Sequence, residues 1–163
     1  MKRLLIVWHS RTGAARAMAQ AAAAGAGAEP DVEVAIRPAD EVQADDLLAA
    51  DGYLFACPEN LAAMSGAMKE FFDRTYYAVL ERLNGRPYAM LIAAGNDGAG
   101  AVRQMTRIAT GWRLKPIAEP VILRTDAQTP ERIQAAKTPD AAALAPCREL
   151  GAAMAAGLAM GVF

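Results

Sequence analysis

Residues 8–19 read WHSRTGAARAMA. An apolar run ending in Trp8 passes through Ser10, Arg11, Thr12 and Gly13 into an alanine-rich stretch, the pattern of a strand, a tight turn and a helix. Gly13 frees the backbone to turn sharply, and Ser10 and Thr12 bring hydroxyls. The amides that open the following helix face the same point with the positive end of its dipole, so the unit reads as a cradle for one phosphate. It lacks the GxxxxGK[ST] spacing and lysine of a P-loop and the GxGxxG of a dinucleotide fold. The plainer reading is that Ser10 and Thr12 only cap the helix.

Outward from this turn, strand and helix patterns alternate. Arg3–Trp8, Gly52–Cys57 (GYLFAC), Pro87–Ala94 (PYAMLIAA) and Pro120–Leu123 (PVIL) are continuous apolar runs, as in strands buried on both faces. Val32–Ile36 (VEVAI) alternates instead, like an edge strand with one wet face. Met68, Phe71, Phe72, Tyr76, Val79 and Leu83 recur at helical spacing, with Ser65 as the expected cap and Asn84-Gly85 as the stop. Val102, Met105, Ala109 and Trp112 form a second stripe. Thr129 and Thr138 each precede a proline and are expected as caps. Pro146 is expected to break or kink the last helix, whose buried stripe would be Cys147, Leu150, Met154 and Leu158. The alternation predicts one α/β domain over residues 1–163, a doubly wound parallel sheet with right-handed crossovers and helices on both faces.

A chain of 163 residues with 54% hydrophobic content supplies one core covered on two sides. Its formal charge of -1 gives no global field for nucleic acid or an anionic membrane, and neither is expected as a partner. The uncharged stretch Leu150–Phe163 is shorter than a bilayer span and reads as a packed terminal helix. Between Glu29 and Asp51 the acids face Arg37 alone, which marks a solvated loop and helix surface or an acidic docking face. Cys57 and Cys147 form no CxxC and His9 is the single histidine, so no metal site is expected and a reducing cytoplasm fits. The opening MKRLLIVW reads as a first strand rather than a signal peptide.

Ligands of such sheets sit beyond the carboxyl ends of the strands, near the reversal of strand order. Three loops are expected there: SRTGAA (10–15), PENLAAMSG (58–66) and AAGNDGAG (93–100). The second can present backbone groups to the edge of a flat heteroaromatic ring, and the glycines of the third allow close approach to a ring or sugar.

The ordered trio SRTGAARAMA, ACPENLAAMSGAMKEFFDRT and AAGNDGAG resembles the flavodoxin-like superfamily, within it the flavodoxins and NAD(P)H-dependent FMN or quinone reductases. The resemblance covers nearly the whole chain and implies a five-stranded sheet of order 2-1-3-4-5 with noncovalently bound FMN. It implies that Ser10, Arg11, Thr12, Gly13, Ala14 and Ala15 surround the phosphate. Pro58, Glu59, Asn60 and Leu61 would line one side of the isoalloxazine, and Gly95, Asn96, Asp97 and Gly100 would meet its pyrimidine end. Where the family often has Asn and a hydroxyl residue, this chain has Ala14 and Ala15, so a side-chain hydrogen bond to phosphate is missing. Such a bond is worth about 1.5–3 kcal/mol, or roughly tenfold to hundredfold in affinity. Glu59 would lie beside the flavin nitrogens or point into water, His9 would be a structural residue or a proton relay, and Cys57 a buried filler.

The resemblance implies an FMN-dependent oxidoreductase that moves electrons from NAD(P)H to a quinone, free flavin or similar small acceptor, working as a homo-oligomer. A flavodoxin-type carrier serving redox proteins, and a flavin-free binding domain on the same fold, are the alternatives. No side chain is assigned as a catalytic acid or base. A receiver domain would need paired acids where His9, Ser10 and Arg11 stand, and an α/β serine hydrolase would need GxSxG.

Overall fold

The apolar runs become strands because helices cover both of their faces. The computed structural model describes residues 1–163. Its strands are β1 (Lys2–Trp8), β2 (Val32–Pro38), β3 (Gly52–Asn60), β4 (Ala63–Met64), β5 (Pro87–Ala94), β6 (Lys115–Pro116) and β7 (Val121–Arg124). Its helices are α1 (Ala14–Ala26), α2 (Ala44–Ala49), α3 (Gly66–Val79), α4 (Ala99–Gly111), α5 (Pro130–Gln134) and α6 (Ala141–Met160). Parallel pairing sets β2, β1, β3 and β5 side by side, and β6 and β7 share the fifth position along β5. This is the 2-1-3-4-5 order with its last strand split, in a stretch where Pro116 and Pro120 lack an N–H for the ladder. β4 folds back antiparallel on the end of β3. No helix is long and apolar enough to cross a membrane.

Alternation along the strands sorts the core into two unlike layers. Leu5, Val7, Tyr53, Phe55, Tyr88, Met90 and Ile92 share one layer with Phe71, Phe72 and Met105. It is thick with rings: Phe72 stands 4.9 Å from Phe71 and 5.1 Å from both Phe55 and Trp112, centroid to centroid. Leu4, Ile6, Leu54, Ala56, Leu91 and Ala93 share the other with Ala15, Met18, Ala19 and Ala22 of α1 and Met154 of α6. That layer is thin, and α1 and α6 meet backbone to backbone. A Cβ added at Gly25 would lie 2.0 Å from the Arg148 carbonyl oxygen, and one at Gly151 2.0 Å from that of Ala22.

Local expectations were met unevenly. Thr129 caps α5, its hydroxyl accepting from the Arg132 amide at 3.3 Å. Thr138 does not cap α6; Asp140 does, accepting from the Ala143 amide at 2.8 Å, and Pro139 lies outside the helix. α6 runs on through Pro146, because Cys147, Leu150, Gly151 and Met154 beyond it are buried and packing outweighs one lost hydrogen bond. α3 ends at Val79, ahead of Asn84-Gly85, with Glu81 in the left-handed region at φ +62°. Thr75, its hydroxyl donating to the Phe71 carbonyl at 2.8 Å, takes the buried place expected of Tyr76. Much of the acidic stretch is engaged: Glu33 pairs with Arg3, Asp51 with Lys2, and Asp46 closes a capping box on Gln43.

Candidate functional site

The turn after β1 pivots on Gly13, in the left-handed region at φ +108°. Ser10 Oγ accepts the Gly13 amide at 3.0 Å, leaving the serine hydroxyl proton available to a ligand. Ala14 and Ala15 are 4% and 1% exposed, their methyls sunk into the thin core layer, so they offer the cleft N–H groups alone. No side chain caps α1, and the amides of Ala14, Ala15 and Arg16 find no protein acceptor. α4 starts the same way, from Gly98 at φ +95°, but its amide end is filled. The Glu59 carboxylate reaches across from β3 and accepts from Gly98 at 2.9 Å and Ala101 at 3.1 Å. Of these two glycine-started helices at the carboxyl edge of the sheet, α1 is the one left open to an anion.

A cleft open to solvent lies over this turn. Ser10, Arg11, Thr12, Ala14 and Ala15 line it from the first loop, Pro58, Glu59 and Asn60 from the second, and Ala93, Ala94 and Gly95 from the third. Gly13 forms the turn beneath. Leu61, Asn96, Asp97 and Gly100 are not brought into it. Leu61 stands fully exposed at the tip of the β3–β4 hairpin, and Asn96 and Asp97 are exposed beyond Gly95, the Asn96 carbonyl accepting from Arg124 Nε at 3.1 Å. Gly100 is a packing glycine in α4, where a Cβ would come within 2.0 Å of the Ala62 carbonyl oxygen. Glu59 lines the cleft with its carboxylate bonded to the amides of α4 rather than pointing out into water.

A fourth segment completes the cleft and is absent from the sequence reading. Thr125, Ala127, Ile133 and Lys137, all after β7, line its remaining side. The rule that ligands gather beyond strand ends applies to the last strand as much as to the others, and that signal was there to be used. The Lys137 amide donates to the Thr12 carbonyl at 2.7 Å, and a Cβ on Gly13 would meet the Lys137 carbonyl oxygen at 3.0 Å.

Behind the cleft, His9 Nδ1 lies 2.8 Å from Ser65 Oγ, so the hydroxyl expected to cap α3 instead ties it to the end of β1. Burial, then the Arg11 charge, hold the His9 pKa below its ordinary value, with Asp40 opposing. Burial pushes the Cys57 thiol up to about 12 and that of Cys147 up to about 11, far from the range of a nucleophile. Arg16 lies over the Trp8 ring, 5.5 Å from its centroid.

A parallel sheet of this order with an anion cradle at the tip of its first strand defines a flavodoxin-like protein. Residues 9–128 match the family model for the NADPH-dependent FMN reductases, and the chain belongs to that family. It is 31% identical over 100 residues to a flavodoxin of Aquifex aeolicus (strain VF5), covering 61% of this chain and 54% of that protein. It is 39% identical over 61 residues to the probable NAD(P)H dehydrogenase (quinone) FQR1-like 2 of Arabidopsis thaliana, covering 37% of this chain and 22% of that protein. The chain therefore matches about half the length of the first relative and under a quarter of the second. Among solved structures, a flavodoxin from the domain Archaea superposes with a TM-score of 0.78 at 20% identity, covering 96% of this chain and 98% of that one. A flavodoxin, WrbA-like protein from Agrobacterium tumefaciens superposes with a TM-score of 0.77 at 16% identity, covering 99% of each chain. At such identities the likeness shows the shared fold.

Proposed function

We propose that this protein binds FMN in the cleft and acts as an oxidoreductase, taking reducing equivalents from NAD(P)H and passing them to a quinone, a flavin or a similar small acceptor. The carrying observation is the contrast between α1 and α4: Glu59 fills one helix start, while the amides of the other remain free beside Ser10 and Thr12. That donor set suits a single terminal phosphate. FMN, when bound, supplies the hydride and electron chemistry.

The chain's own part is binding and access. The amides of Ala14, Ala15 and Arg16, with the hydroxyls of Ser10 and Thr12, hold the phosphate, and Arg11 adds charge. Pro58, Asn60 and Gly95 wall the space for the ring, while Glu59 keeps the second and third loops together. The cleft lining contains no aromatic side chain, which favours a second substrate stacking on an open ring face over a carrier that shields it. Exposed Tyr76 and Tyr77 on α3, with Leu80 just past its end, support a homo-oligomer, and two unpaired cysteines fit a reducing cytoplasm. Nucleic acid and membrane have no place in this reading.

Titrating the purified protein with FMN, riboflavin and FAD, followed by flavin fluorescence, tests it. FMN is expected to bind at least about tenfold more tightly than riboflavin, in line with the worth of charged hydrogen bonds to phosphate. The loaded protein is then expected to oxidise NAD(P)H with a quinone present. Equal or absent flavin binding defeats the proposal, and binding without NAD(P)H oxidation leaves the carrier.

A further inference from the structure

We propose that Lys137 is the counter-charge of the phosphate cradle, a fixed positive field delivered by the C-terminal segment where Ala14 and Ala15 offer no side-chain donor. The proposal rests on the FMN reading of the cleft and concerns its phosphate end.

Lys137 lines the cleft with Ser10, Arg11 and Thr12. Its backbone is fastened to the cradle, through the amide bond to the Thr12 carbonyl and the close seat of its own carbonyl over Gly13. Its side chain is fixed as well. Nζ donates to the carbonyls of Arg132, Ile133 and Ala135 at 2.7, 3.0 and 2.6 Å, gathering the exposed carboxyl end of α5. Those partners are neutral dipoles, and Lys137 belongs to no ion pair in the structure. The ammonium is therefore held in place with no carboxylate paired to it. The carboxylate on the opposite wall, Glu59, is committed to the amides of α4.

A phosphate monoester carries about 1.5 to 2 negative charges at neutral pH, more than peptide dipoles and two hydroxyls offset. Arg11 is exposed and loses rotamer freedom if it folds onto a ligand. The ordering of Lys137 has already been accomplished by the three carbonyls, so its field costs nothing further on binding. The positive charge comes from a segment more than a hundred residues beyond the turn it serves.

Affinity for FMN and for riboflavin, which carries the same ring and chain without phosphate, tests this in the full protein, its Lys137→Gln variant and its Lys137→Arg variant. Glutamine keeps a donor for the α5 carbonyls while removing the charge, and a thermal melt checks that the fold is retained. Lys137→Gln is expected to weaken FMN by about tenfold, leave riboflavin unchanged and flatten the salt dependence of FMN binding. Lys137→Arg is expected to restore most of the FMN affinity and the salt dependence. Parallel weakening of both flavins, or an unchanged preference for FMN in Lys137→Gln, overturns the role of Lys137. Should Lys137→Gln fail to fold, the unaltered protein and Lys137→Arg still decide: FMN affinity insensitive to salt in both overturns it. Absence of any FMN preference in the unaltered protein instead defeats the FMN reading itself.

Discussion

Glu59 accepts the backbone amide of Gly98 at 2.9 Å, so the last residues of β3 are stapled to the first turn of α4. A residue whose sequence context points to flavin chemistry thus serves as a helix cap delivered from another strand. Glu59→Ala is expected to destabilise the protein by about 1–2 kcal/mol, the usual worth of an N-cap, with Glu59→Gln losing less. Thermal melts of the flavin-free protein measure this. An unchanged melting temperature in Glu59→Ala would show that the cap contributes nothing.

The hairpin tip carries Leu61 and Ala62 at φ +52° and +60°, a two-residue turn that favours Asn-Gly. Replacing both, as Leu61→Asn with Ala62→Gly, is expected to raise stability by about 1 kcal/mol or more by relieving left-handed strain. The urea midpoint reads the change, and a fall would mean that Leu61 makes contacts that matter in solution.

Ser10 and Thr12 provide a cleaner probe of the cradle than Gly13. At φ +108° and 3.0 Å from the Lys137 carbonyl, any side chain at Gly13 strains the turn itself, so Gly13→Val is expected to lose folding and binding together. Ser10→Ala with Thr12→Ala is expected to weaken FMN by about tenfold or more while costing under about 1 kcal/mol of stability. Equal losses of both would identify the hydroxyls as structural caps.

The His9 shift sets a direction for the pH dependence. The folded protein holds His9 below the ordinary value of 6.5, whereas the unfolded chain takes up the proton near 6.5. In that window the unfolded state binds more protons, so stability is lost as the pH falls through it. Melting temperature is expected to decline between about pH 7.5 and 5.5, and His9→Gln to lack this component. Identical declines in both proteins would assign the effect elsewhere.

Cys57 and Cys147 are buried, with pKa values pushed up to about 12 and 11. An aromatic disulfide reagent is expected to leave both untouched in the folded protein and to titrate both after denaturation. Rapid reaction of either under native conditions would contradict the packing around it.

The strands were legible because apolar runs between turn residues carry their own signal, and the sheet order followed once the three loops were recognised together. Gly13 was legible because an unbranched turn between strand and helix demands such a residue. The Glu59 cap and the His9–Ser65 bond were not, since their partners lie 39 and 56 residues away and no local pattern links them. The place of Thr125, Ala127, Ile133 and Lys137 in the cleft went unread for another reason. The stretch is polar and aperiodic, and its place over the cleft comes from main-chain bonds such as that from Lys137 to Thr12. Pro146 misled because helix propensity ignores the buried face that holds α6 against α1.

The thin core layer has a consequence for the cradle at its end. α1 rests on the sheet largely through methyl groups and meets α6 through glycines, so its distance from the strands is set by the smallest spacers available. Such a layer has a fixed gauge and almost no travel. A single extra carbon at Ala19 or Ala22 would act as a shim, tilting the helix and withdrawing the amides of Ala14 and Ala15 from their point of convergence. The tolerance of the anion site is thereby machined into the seam between α1 and α6, set back from the cleft.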